Sequence, residues 1–125
     1  MQLAYGAWSF GMDATEAELE MAGVVMEELE RLGAHSADVV ARWMHIHGLQ
    51  GVKGDVQQCP LARWLRDRSG DPGLQVGRYH VTGRRSLPDR PVPVDVWRVE
   101  DPPATHTEFI RRFDDGAWPE LLADP

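Results

Sequence analysis

The sequence predicts an α+β domain: three helices, a two-stranded antiparallel hairpin and a C-terminal helix, in one compact unit spanning residues 1–125. Three observations predict it. Apolar residues recur at three- and four-residue spacing in residues 15–33, 36–48 and 60–69 and again after residue 105, which is the period of an amphipathic helix. Between residues 74 and 99 the pattern changes to the alternation of half-buried strands. Tryptophans at positions 8, 43, 64, 97 and 118 fall about one per segment, as expected if each element sends one large aromatic into a shared core.

Residues 2–10 mix alternation with a glycine and predict an edge strand or an extended arm, whose Tyr5, Trp8 and Phe10 are too costly to leave in water. Thr15 and Glu18 have the spacing of a capping box. Leu19, Ala22, Val25, Met26, Leu29 and Leu32 then form one stripe, Glu16, Glu20, Glu27 and Glu30 ring the opposite side, and Gly33 closes the helix. Ser36 is the N-cap of a second helix whose expected buried side is Val39, Val40, Trp43, Met44 and Ile46 or His47. Gly48, Gly51 and Gly54 shape a loop, matching neither a P-loop nor a dinucleotide-binding turn.

The third helix is the best bounded. Pro60 suits its first position and Gly70 its left-handed terminus, with Leu61, Trp64, Leu65 and Arg68 on one face. Leu74 to Thr82 reads as a strand with a bulge at Gly77, where the apolar parity switches. A basic hairpin loop, residues 83–91, leads to a second strand with Val92, Val94 and Val96 on one side and Trp97 and Val99 on the other. Thr105 and Glu108 predict a second capping box, ahead of Phe109, Ile110 and Phe113. The tail from Trp118 to Leu122 is expected to fold back onto the core.

Charge and cysteine usage bound the function. The formal net charge of -7 opposes diffuse binding to nucleic acid. It is unevenly spread: residues 1–50 carry eight acids and two bases, residues 51–100 six acids and nine bases, and residues 101–125 six acids and two bases. The single Cys59 excludes an intramolecular disulfide, and no basic leader or long apolar run marks an export signal or a membrane span, so a cytoplasmic location is expected. His45 and His47 lie two apart on a helix and point about 200° from each other, so no metal or cofactor is expected.

Three functional readings follow. The favoured one is a non-catalytic regulatory or accessory domain that binds another protein or a second copy of itself, with Tyr5, Trp8 and Phe10 as the contact residues. The first alternative is a winged-helix-like nucleic-acid binder, with the helix of residues 60–69 and the loop of residues 83–91 presenting Arg63, Arg66, Arg84, Arg85 and Arg90. A linker of about ten residues between its second and third helices is long for that motif. The second alternative is a small enzyme working through Cys59, at a helix N-terminus that lowers a thiol pKa, with His45, His47 or His80 as base.

The segments Gly48-Leu-Gln-Gly51, Gly54-Asp55, Cys59-Pro-Leu-Ala-Arg-Trp-Leu65 and Phe109-Ile-Arg-Arg-Phe-Asp-Asp-Gly-Ala-Trp-Pro-Glu-Leu121 resemble a group of small proteins from high-GC Gram-positive bacteria with no assigned activity. The resemblance implies a free-standing cytoplasmic domain and lends no catalytic residue or substrate.

Overall fold

The computed structural model of the protein describes residues 7–11 and 14–123. Its order is β1 (Ala7–Phe10), α1 (Glu16–Gly33), α2 (Ala37–Ile46), α3 (Pro60–Ser69), β2 (Leu74–Val76), β3 (His80–Arg85), β4 (Val94–Glu100) and α4 (Ala104–Asp114), then a 3-10 turn at Pro119–Leu121. The α+β class and the four helices are as expected. The sheet is not a two-stranded hairpin: among the described residues it has four antiparallel strands in the order β1-β4-β3-β2. Among the described residues no helix is long and apolar enough to cross a membrane.

Two differences enlarge the sheet. The change of parity at Gly77 is a chain reversal rather than a bulge. The Gly77 amide donates to the His80 carbonyl at 2.9 Å, and the two halves become β2 and β3, with Val76 opposite Val81. The irregularity in β3 instead lies between Gly83 and Arg84. Residues 7–10 then add β1 against β4, with Trp8 opposite Val99 and Phe10 opposite Trp97. Because β3 continues to Arg85, the basic loop begins only at Ser86, and β4 starts at Val94, leaving Val92 63% exposed.

One face of the sheet is dry. Leu74, Val76, Val81, Trp97 and Val99 are buried beneath the helices, whose Ala22, Val25, Leu29, Met44, Leu61, Leu65, Phe109 and Phe113 complete the core. The opposite face is polar and has a row of ion pairs, with Asp95 between Arg84 at 2.8 Å and Arg98 at 3.5 Å and with Glu100 on Arg98. A sheet covered on one side only is the ordinary use of antiparallel pairing.

Trp97 fixes how the layers meet. Gly83 is its cross-strand partner, and a Cβ on Gly83 would lie 2.0 Å from the indole nitrogen, so the ring occupies the space that a side chain would fill. The indole N–H reaches beyond Gly83 and donates to the buried Asp71 carboxylate at 2.9 Å. The other oxygen of Asp71 accepts from the Gly73 amide at 3.0 Å, which sets the turn from α3 into β2.

The helices keep most of their expected caps. Thr15 and Glu18 form the capping box and Ser36 caps α2. Leu19 is 44% exposed, however, and the buried stripe of α1 includes Glu28 instead. Gly33 is the last residue of α1 and lets the next layer approach, since a Cβ there would be 2.8 Å from Pro103. The second capping box does not form: α4 starts at Ala104 with no side-chain cap, and the Thr105 hydroxyl donates to the His35 carbonyl at 2.6 Å. The expected return of the tail is observed, with Leu121 buried and Leu122 bridged in parallel to Gly51.

His106 anchors α4 to the sheet. Its Nε2–H donates to the Gly77 carbonyl at 2.8 Å, while Nδ1 is buried without a partner. Burial is the main cause that pushes this imidazole down to about 4, with nearby His80 acting in the same direction and the Gly77 bond opposing.

Two outcomes are expected. Gly83→Ala drives a methyl into the Trp97 ring and lowers stability by about 2–3 kcal/mol, read as a shift in the urea midpoint. The unfolded chain takes a proton on His106 near the ordinary pKa of about 6.5, before the folded chain does. Stability is therefore full above that pH, falls as the pH drops towards about 4, and levels off below it. The loss is at most about 3 kcal/mol. Urea titrations at stepped pH check this, and His106→Phe should flatten that part of the profile.

Candidate interaction surface

The residues proposed for catalysis do not meet. Cys59 is the N-cap of α3, as its position before Pro60 suggests, but it is buried, and its sulfur accepts from the Ala62 amide at 3.3 Å. Desolvation outweighs the helix amides and raises the thiol to about 11 rather than lowering it. The cavity beside Cys59 holds about 70 Å³ and is lined by Asp55, Val76, Arg78, Ile110 and Asp114 among others, with no described histidine in its wall. His45 and His47 are exposed at the end of α2, and His80 opens β3 with its ring against Gly77. Among the described residues no group of three histidine, cysteine or carboxylate side chains is placed to hold a metal ion.

The arginines proposed for nucleic acid are largely engaged within the fold. Arg63 donates to Gln58 at 2.9 Å and Arg66 to the Leu74 carbonyl at 3.3 Å. Arg84 pairs with Asp95 at 2.8 Å and Arg85 with Glu18 at 3.3 Å, which ties β3 to the first turn of α1. Arg90 is exposed in the loop after β3. Ile46 and Pro60 bound the connection between α2 and α3, so these helices do not form a tight helix-turn-helix. Of the proposed contact residues, Tyr5 lies outside the described residues, Trp8 is placed in β1, and Phe10 is 47% exposed at the end of that strand.

What the structure brings together instead lies on α2, whose buried side differs from the expected one. Ala37, Val40, Ala41 and Met44 are the buried side, packed towards α3, α4 and the C-terminal turn. Val39, Trp43 and Ile46, expected inside, fall at i, i+4 and i+7 on the outer side, with Val39 39% and Ile46 71% exposed. Trp43 is only partly buried and packs against the margin of the core.

This outer stripe is held by neighbours from two other helices. The Trp43 and Trp64 rings are 5.6 Å apart, with the His47 ring 5.1 Å from Trp64 and the His35 ring edge-on to Trp43 at 6.2 Å. An arginine covers each end: Arg31 of α1 lies 4.8 Å above Trp43 and Arg68 of α3 lies 4.2 Å above Trp64. Exposed cation–π contacts of this kind contribute about 0.5–1 kcal/mol each and hold flexible side chains in place. The buried Glu28 orients the group from below, accepting from the Trp64 indole N–H at 3.2 Å and lying 3.6 Å from Arg31.

Beside the stripe is an open depression of about 390 Å³ lined by Asp38, Arg42, His45, Trp118 and Glu120. Arg112 joins two of its walls, donating to Asp38 at 3.0 Å and lying 4.8 Å above the Trp118 ring. Its hydrogen bond holds the Asp38 carboxyl below the ordinary range. The face thus combines exposed aliphatic groups, a tilted pair of tryptophan rings and a rim of cations. The sequence signal was present: ten residues of α2 carry two apolar stripes where a surface helix needs one.

Fold and surface define a helical layer on one side of an antiparallel sheet, with an apolar and basic face on its second helix. Comparison of the chain with family models, with curated proteins and with solved structures gives no match.

The burial of Cys59 yields an expected outcome. At pH 8 iodoacetamide labels the native protein slower than the urea-unfolded protein by on the order of 100-fold, as a mass spectrometric time course will show. Similar rates in the two states would mean that the thiol is open to solvent.

Proposed function

We propose that the protein is a non-catalytic regulatory or accessory domain that binds another protein through the outer face of α2. The exposure of Val39 and Ile46 beside Trp43, whose ring is held against Trp64, carries this reading. Tryptophan and arginine are the residue types that dominate binding energy at protein interfaces, and here they are preset by contacts within the chain. Rigid side chains lose little entropy when a partner arrives. A half-exposed aromatic flanked by exposed aliphatic groups is also the kind of apolar surface that a soluble chain keeps for a partner.

The rim indicates the partner's chemistry. Arg31, Arg42, Arg68, His35, His45 and His47 surround the stripe, and no ion pair among the described residues involves Arg42 or Arg68. A segment with apolar residues at its centre and carboxylates at its margins is the complementary surface. The cytoplasm is the setting that the lone thiol and the resemblance to small proteins of high-GC Gram-positive bacteria support.

A photoreactive amino acid placed at position 46 tests the proposal in the source cell, with the same probe at Gln75 on the polar sheet face as reference. A discrete protein adduct at 46, absent at 75 and lost on Val39→Asp, is the expected result. No adduct at 46, or equal adducts at both sites, would refute it, and a nuclease-sensitive adduct would favour nucleic-acid binding.

A further inference from the structure

The outer face of α2 offers a partner no backbone to pair with. Inside a helix the N–H and C=O groups are spent on one another, so the stripe of Val39, Trp43 and Ile46 presents side chains only. An extended segment laid on that stripe would press its own N–H and C=O groups against an apolar surface that cannot bond them. Extended segments are bound instead along sheet edges, which supply those bonds. A helix satisfies its backbone internally and can set an apolar stripe directly on this one.

Cations lie on both sides of the stripe. Arg42 and His45 border it on the side of the Trp118 depression. His47, Arg68 and Arg31 border it on the side of the Trp43 and Trp64 rings. Neither Arg42 nor Arg68 has an ion-pair partner among the described residues. The nearby acids are engaged, Asp38 by Arg112 and Glu28 by the Trp64 indole, which leaves Glu120 as the other acid in the described wall of the depression. An apolar stripe bordered by charge on both sides is the pattern of a helix-pairing seam, where flanking charges on one helix meet opposite charges on the other.

We infer that, granted the α2 face as the partner site, the partner segment is an acidic amphipathic helix of a different protein. It lies along α2 with apolar residues at i, i+3 or i+4 and i+7 over Val39, Trp43 and Ile46, and with carboxylates on both borders of its stripe. α2 has ten residues and is about 15 Å long, so about three turns of the partner are engaged. A second copy of this chain does not supply such a helix. The outer side of α1 is acidic, with Glu16, Glu20, Glu27 and Glu30, but Leu19 is its one exposed large apolar residue among the described residues. Two α2 faces laid together would confront cations with cations.

The spacing of cross-links reads the partner's conformation. Val39 and Ile46 are about 10 Å apart along the axis of α2, a distance spanned by about seven residues of a helix or about three of a strand. A diazirine-bearing residue is placed at position 39 in one variant of the full chain and at 46 in another, and the adducts formed in the source cell are located by mass spectrometry. The expected result is that both variants mark one segment of one other protein, about seven residues apart, with carboxylates beside the marked apolar residues. Arg42→Glu combined with Arg68→Glu should lower both yields by about 10-fold with an unchanged melting curve. Marks about three residues apart overturn the helix while leaving the α2 face as the partner site. Marks in a segment without carboxylates, or yields that the charge reversal leaves intact, overturn its acidic character. Marks on a second copy of this chain overturn its being a different protein. No adduct at either position overturns the site itself, and the helix with it.

Discussion

The hydrogen bond from the Trp97 indole to the Asp71 carboxylate, made across the bare backbone of Gly83, is the constraint on which the rest of the structure depends. It joins the middle of the sheet to the turn that follows α3. A carboxylate this well buried, 4% exposed, must be satisfied by donors, and here the indole and the Gly73 amide supply them. The glycine is required because a ring and a Cβ cannot share the space. With Trp97 seated, Leu74, Val76, Val81 and Val99 lie on one plane beneath the helices, and Arg84, Asp95, Arg98 and Glu100 pair on the opposite face.

A second set of contacts closes the helical layer over that plane. α1 packs on α3, α2 on α4, and His106 bonds α4 to the Gly77 turn. With α2 held from within by Val40, Ala41 and Met44, its second apolar stripe has nowhere to go but outwards. The exposed Trp43 face follows from packing geometry: a helix of ten residues cannot bury both sides when its neighbours lie on one.

Much of this was legible in the sequence, wherever a local signal decided the outcome. The Thr15 capping box, the Ser36 cap, the Pro60 start and the Gly70 stop all fall where residue type alone puts them. Non-local choices were not legible. Whether the parity change at Gly77 makes a bulge or a reversal depends on which strand Val81 meets. Thr105 fits a capping box as well as it fits a bond to His35, and only the position of the α1–α2 corner selects the latter. The thiol of Cys59 shows the same limit in electrostatics, since a helix N-terminus and burial pull its pKa in opposite directions and the depth of the site is a tertiary property. For the α2 face the excess of apolar residues was visible, but which stripe is buried was not.

The bridge between Gly51 and Leu122 sets the order in which the domain can be completed. Gly51 donates to Leu121 at 2.8 Å and accepts from Ala123 at 2.9 Å, and it does so where any side chain would strike the Gln58 carbonyl and Pro60. The long connection ahead of α3 is therefore braced by residues synthesised some seventy positions later, just as β1 waits for β4. Such distant closures are slow relative to helix formation. During translation the helices can form in turn, but the sheet that carries Trp97 can be paired only once β4 has emerged, and the loop that presents Cys59 to its helix can be locked only once residue 123 has.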